Sequence, residues 1–173
     1  MKTRTLALTL AVWVVAGALC FAADPQMGTW KLNEAKSKFA PGTGKNTMVV
    51  YKAATGGQVK ITADGVDEHG MSRHSEWTGK FDGKDYAVTG DPSSDMRSYR
   101  KLDDRNMEFT AKKHGKTTVT GRIEVSPDGK SRIVTTSGRT GLGTAASRAV
   151  QRGDFLAEAK GQKYNNTAFF DKQ

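Results

Sequence analysis

The chain has 173 residues and a mass of 18.7 kDa, with 27 Lys and Arg against 18 Asp and Glu, a formal net charge of +9 and a mean hydropathy of −0.58. That length suits one domain of roughly 100–200 residues. A content of 36% hydrophobic and 26% charged residues excludes a disordered polyelectrolyte, and 19 Gly against 4 Pro exclude collagen-like and Pro-rich chains.

Lys2 and Arg4 precede an apolar run from Leu6 to Phe21, which Ala22, Ala23, Asp24 and Pro25 follow. The run is shorter than the ~20 residues that cross a bilayer as a helix. Cys20 and Ala22 place small side chains three and one residues before a cleavage point after Ala22, the pattern of a secretory signal peptide. The expectation is a periplasmic or secreted protein of residues 23–173. An uncleaved anchor and lipidation at Cys20 are the alternatives; no basic cluster follows the run, and Leu19 stands where lipoprotein signals carry a small residue. Cleavage removes the single cysteine, which excludes disulfides and thiolate chemistry from the mature chain, and removes Lys2 and Arg4, which lowers the net charge to +7.

From Gly28 onward apolar and polar residues alternate with period two between short turn clusters. Ten strands are predicted: Gly28–Leu32, Asn46–Ala53, Gln58–Asp64, Met71–Lys80, Asp85–Thr89, Met96–Leu102, Asn106–Lys112, Thr117–Ser126, Ser131–Ser137 and Gln162–Lys172. So long a meander exposes edges unless it closes, and the predicted fold is an all-β, antiparallel up-and-down barrel. Two segments break the rhythm. Asn33 to Lys45 reads as a helical turn capped by Asn33 and then a Pro/Gly loop, and Gly138 to Gly161 as a long interruption, either a loop or a short helix over Ala145 to Lys160.

Most of the recognisable motifs dissolve in this context. Gly141 to Ala146 satisfies G-x-G-x-x-A, but a dinucleotide fold needs a parallel strand beyond a helix, and the flanking pattern is antiparallel. His69, His74 and His114 lie in or near turns without a cysteine partner, and neither a metal nor any other cofactor is expected. Asp64, Asp67, Glu68 and Glu76 are carboxylates of a solvated turn and its flank, weighed against an acid/base pair. No Gly-x-Ser-x-Gly elbow occurs, and no enzymatic activity is expected.

Gly28-Thr29-Trp30-Lys31-Leu32 resembles the Gly-x-Trp opening of the calycins, the lipocalins and fatty-acid-binding proteins, and Thr167 to Lys172 is similar to the fatty-acid-binding ending. The run GTWKLNEAKSKF looks like that of small exported bacterial lipocalin-like proteins. The resemblance covers nearly all of the mature chain and implies a calycin-like barrel, with Gly28 and Trp30 structural and Trp30 capping the closed end. It also implies entry of a ligand through the end that carries the connections after odd-numbered strands. The Arg-x-Tyr pair with which fatty-acid-binding proteins grip a carboxylate is replaced by Ala168 and Phe170.

The odd connections sum to a charge of +4, whereas the even ones are short and nearly neutral. Lys112, Lys113, Lys116, Arg139, Arg148 and Arg152 form the predicted basic rim, which would concentrate an anionic ligand or, on the alternative reading, dock on anionic lipid or polysaccharide of the cell envelope. Strand Met96–Leu102 puts an arginine inside in either orientation. Its apolar ends favour Arg100 as the inward anchor, and the opposite parity turns Arg97 and Tyr99 inward. Trp77 and Phe109 are further candidate ligand contacts. The expectation is a monomeric binding protein for a small apolar or amphipathic, anionic ligand, with no nucleic acid as partner.

Overall fold

The computed structural model describes residues 24–139 and 163–173. The expected signal segment, the G-x-G-x-x-A run, the expected helix at 145–160, Arg148 and Arg152 lie outside the described residues. Ten strands are present: β1 (Gly28–Lys38), β2 (Lys45–Ala54), β3 (Gln58–Val66), β4 (Ser72–Gly79), β5 (Tyr86–Thr89), β6 (Met96–Lys101), β7 (Asn106–Lys113), β8 (Lys116–Val125), β9 (Ser131–Arg139) and β10 (Lys163–Lys172). Each pairs antiparallel with its sequence neighbours, and β10 returns to β1, so the sheet closes into the up-and-down barrel that the alternation predicts.

The inward positions carry the core. Trp30, Val49, Tyr51, Ile61, Ala63, Trp77, Tyr99, Met107, Ile123, Val125 and Phe170 are buried, while the intervening Lys31, Lys52, Lys60, Arg122 and Glu124 are exposed. Removing each large apolar side chain from water contributes about 1.5–3 kcal/mol, and closure pairs the two edges that an open sheet would leave bare.

The end formed by the even connections is sealed. Trp30 is fully buried there and donates from Nε1 to the Gln26 carbonyl at 3.0 Å, and Gln26 in turn donates from Nε2 to the Arg105 carbonyl at 3.0 Å. Gly28 has φ +110°, a conformation L side chains rarely adopt, and a Cβ there would lie 3.0 Å from Lys172 Cε. Trp30 is thus anchored at this end, and Gly28 supplies a backbone conformation that other residues rarely adopt.

β1 departs from expectation. The segment after Asn33 stays extended to Lys38 and pairs with β10 across a register shift between Asn33 and Lys38. Asn33 does accept from the Lys36 N–H (3.2 Å), the bond an N-cap would make, but Ser37 Oγ donates to the Asn33 carbonyl (2.7 Å) and accepts from the Phe169 N–H (2.9 Å). Those bonds hold the segment on β10 as a bulge instead of releasing it into a helical turn.

The narrowest part of the barrel wall is β5. It pairs with β4 only through Glu76↔Thr89 and Trp77↔Val88, and with β6 only through Tyr86↔Arg97 and Ala87↔Met96. Aromatic packing spans this seam: Trp77 stacks on Phe81 at 6.2 Å and meets Tyr99 edge-on at 4.8 Å and Tyr86 at 5.7 Å. Such ring pairs contribute about 0.5–1.5 kcal/mol each beyond their buried area.

Across the barrel, Gly121 leaves the space that the Phe109 ring fills. A Cβ at Gly121 would lie 2.4 Å from Phe109 Cε1 and 2.7 Å from the Thr135 carbonyl oxygen. Gly121→Ala is therefore expected to lower unfolding stability by about 1–3 kcal/mol through overpacking, measured by urea denaturation. Unchanged stability would show that β8 and β9 yield at no cost.

Candidate functional site

The barrel encloses a cavity of about 200 Å³. Val49, Ile61, Ala63, Phe109, Ala111, Ile123 and Val134 form its apolar wall, and at the end of the odd connections it is lined by residues 42–46, Asp67, Glu68, Arg73, residues 91–93, Arg139 and Tyr164. Val49, Ile61, Ala63, Ala111 and Ile123 are buried positions of the inward strand faces, so the wall follows directly from the alternation.

Arg132 stands at the opposite, sealed end. It follows the β8–β9 turn and lies across the sheet from Val125 and Phe170, both buried, so the register turns it inward. It is 2% exposed, and its guanidinium carbon lies 4.6 Å from the Trp30 ring centroid, 4.8 Å from Tyr51 and 5.1 Å from Phe170. The Tyr51 hydroxyl is a polar neighbour, yet Nε and Nη1 have no hydrogen-bond partner, and Arg132 enters none of the ion pairs among the described residues. Burial lowers the Arg132 pKa from its ordinary value, and the interaction with Tyr51 opposes that shift; the guanidinium starts so high that it remains charged at neutral pH. Burial likewise pushes the Tyr51 phenol up to about 12, against the pull of Arg132.

At the mouth a second group of charges is paired, two guanidinium groups sharing one carboxylate. Asp91, in the β5–β6 connection, takes Arg97 of β6 and Arg73 of β4 (3.2 Å), and accepts from the hydroxyls of Ser93 (2.7 Å) and Ser94 (2.8 Å). Arg73 also donates to Asn46 Oδ1 at 2.6 Å. Burial of Asp91 opposes ionisation, but the two arginines and the two hydroxyls outweigh it and hold its pKa below the usual carboxylate range. Burial of Arg97 also opposes its charge, and its neighbours Tyr99 and Asp91 outweigh that, so its pKa is raised. Because Arg73 and Arg97 belong to the strands on either side of β5, Asp91 ties the barrel wall together where its backbone pairing is sparsest.

Several expected site residues stand elsewhere. Arg100 faces solvent and pairs with Glu108 at 2.7 Å, so the favoured orientation of β6 is reversed. Opposite Ala111 and Phe109, Arg97 and Tyr99 are the inward residues and line the cavity, as does Phe109. Trp77 is buried in the seam, its Nε1 donating to the Arg97 carbonyl at 2.9 Å, and is not a lining residue. Of the basic rim, Lys112 pairs with Asp85 at 2.6 Å, Lys113 and Lys116 flank the β7–β8 turn away from the cavity, and Arg139 lines it.

Around the described mouth Lys45, Arg73, Arg97 and Arg139 stand with Asp67, Glu68 and Asp91, and Arg132 is a further cation at the inner end. Of the four carboxylates weighed as an acid/base pair, Asp67 and Glu68 line the mouth, whereas Asp64 and Glu76 do not line the cavity: His74 Nδ1 meets Asp64 at 2.6 Å and Lys60 meets Glu76 at 3.0 Å, both pairs partly exposed, and the bonds to Asp64 and then to Glu76 raise the His74 pKa. No group of three or more potential metal ligands occurs among the described residues.

Sequence reasoning missed Arg132, Tyr51, Arg73 and Asp91. Asp91, the buried carboxylate of the cavity mouth, is expected to contribute to the acid sensitivity of the barrel. Its folded-state pKa lies below that of an unfolded aspartate, about 3.9, so its contribution is fully present above that value and is lost as pH falls through the lower folded one. Asp91→Asn should lower stability at pH 7 by about 3 kcal/mol, since it strands two buried guanidinium groups, and should flatten the fall of stability below about pH 4. Urea titrations of both proteins across pH check this; superimposable curves would exclude the tie.

No family model matches the chain, and no curated protein does. Among solved structures, EF1p2_mFAP2b bound to DFHBI is similar over 88% of this chain and 97% of that chain, at 13% identity and a TM-score of 0.45.

Proposed function

We propose that the protein is an exported, non-enzymatic carrier or sensor that holds a small amphipathic anion inside the barrel, its charged group at Arg132. The observation that carries this reading is a guanidinium buried at the inner end of a cavity with two unsatisfied donors and no carboxylate partner among the described residues. Desolvating such a group costs several kcal/mol. Three aromatic faces return part of that, about 0.5–2 kcal/mol each, but none of them fills the hydrogen-bond donors. An anionic ligand would.

Catalysis finds no support in the same groups. The Tyr51 phenol, at about 12, is not ionised at neutral pH, and the Asp91 carboxylate is committed to two arginines. The alternative, docking on an anionic envelope surface through a basic loop end, rests on lysines such as Lys113 and Lys116 beside the β7–β8 turn and leaves the unpartnered donors of Arg132 without an explanation. Export rests on Lys2, Arg4 and the apolar run to Phe21, with Cys20 and Ala22 before the cleavage point.

Two measurements check the proposal. Intact mass of the protein recovered from the periplasm or medium should give an N-terminus within two residues of Ala23; a retained Met1 would contradict export by cleavage. Arg132→Met should fold with stability equal to or above that of the wild type, because a buried cation lacking a carboxylate gives way to an apolar side chain. The same variant should bind benzoate at least about 30-fold more weakly, the effect of removing one partner of a buried charge pair. Equal affinities with the fold intact would remove Arg132 as the anchor.

A further inference from the structure

Resting on that reading, we infer that the ligand is a compact aromatic monoanion of one or two rings, such as a benzoate-like or naphthoate-like carboxylate, and not a long-chain acyl anion. Three observations converge on this class: the size of the cavity, the chemistry of its wall and the charge left unmatched within it.

The cavity holds about 200 Å³. An apolar cavity of roughly 150 Å³ accepts benzene, whereas pockets for drug-sized ligands start at roughly 300 Å³. One ring with a carboxylate, or two fused rings, fits between those limits. An acyl chain of sixteen carbons, with more than twice the carbon atoms of benzene, does not.

The wall next to the cation is aromatic. Tyr51 and Phe170 line the cavity beside Arg132, and farther up Tyr99 and Phe109 sit with their centroids 5.7 Å apart and planes inclined at 36°. Phe109 lies over Gly121, whose lack of a side chain leaves room for the ring. A flat ring with its charged group down at Arg132 would meet these rings edge-on or offset, the arrangements their quadrupoles favour. A flexible chain has no such match and would lose rotamer freedom in reaching the inner end.

One interior cation has no carboxylate partner among the described residues. Asp91 is engaged by Arg97 and Arg73, which leaves Arg132 as the interior cation without a carboxylate among the described residues. A single carboxylate answers it. A second negative charge on the ligand would have to compete with Asp91 for Arg97.

The test is calorimetric titration of the exported protein at pH 7 with benzoate, 1-naphthoate, cyclohexanecarboxylate, palmitate, 1-pyrenecarboxylate and benzyl alcohol, repeated on Arg132→Met and on Phe109→Leu. Benzoate and naphthoate should bind about three- to tenfold more tightly than cyclohexanecarboxylate, the range expected for aromatic pairing, with palmitate, pyrenecarboxylate and benzyl alcohol weaker still. Phe109→Leu should shrink the aromatic preference while retaining cyclohexanecarboxylate binding. If palmitate or cyclohexanecarboxylate binds as well as benzoate and Arg132→Met still abolishes binding, the aromatic class is wrong and the anion-binding reading stands. If the acids bind neither protein, or bind Arg132→Met equally well, both fail.

Discussion

A guanidinium taken from water into the apolar end of a barrel loses several kcal/mol of hydration, and at Arg132 no ion pair among the described residues offsets the loss. The surroundings are arranged to make the position tolerable. Trp30, Tyr51 and Phe170 present their ring faces to the charge, and Trp30 is itself fixed by the bond from its indole to Gln26, whose side chain reaches on to Arg105. The sealed end of the barrel is thus built around a cation that lines the inner end of the cavity and keeps two donors without a partner. A purely structural interior would be served better by an apolar residue of the same volume, since replacing buried charges in this way is often neutral or stabilising.

The mouth solves a different problem with the same side chain. β5 is four residues long and contributes few backbone pairs to either neighbour, and the barrel is held there by side chains. Asp91 links Arg73 of β4 to Arg97 of β6, and the rings of Trp77, Phe81, Tyr86 and Tyr99 pack over the same seam. An arginine matched by a carboxylate serves the wall; an arginine without one, at the far end of the cavity, is free to serve a ligand. The contrast shows in the direction of the two pKa shifts, Arg97 raised by its neighbours and Arg132 lowered by its burial.

The strands were readable because outward positions such as Lys60, Arg122 and Glu124 alternate with Ile61, Ile123 and Val125, and no helix-period pattern competes with them. Asn33 to Lys38 misleads because Glu34, Ala35 and Lys36 favour helices and Asn33 is a cap residue, whereas the pairing to β10 through Ser37 is a tertiary effect with no local signature. In β6 the apolar Met96 and Leu102 suggested the wrong face; Leu102 lies beyond the strand and is 41% exposed, and the burial of Tyr99 decides the parity. Arg132 escaped because Ile133 and Val134 follow it in succession, so alternation favours neither face until the register to Val125 and Phe170 is known. Asp91 sits in Gly90-Asp91-Pro92-Ser93-Ser94, which reads as an ordinary turn.

The most direct test of an anion held at Arg132 is the nitrogen–hydrogen NMR spectrum of its guanidinium, assigned by its disappearance in Arg132→Met and followed during titration with benzoate. A downfield shift of the Arg132 Nε–H resonance and slower exchange with solvent, saturating together with the binding isotherm, is the expected result. An Nε–H resonance that stays in place while benzoate binds would contradict a ligand anion at that guanidinium.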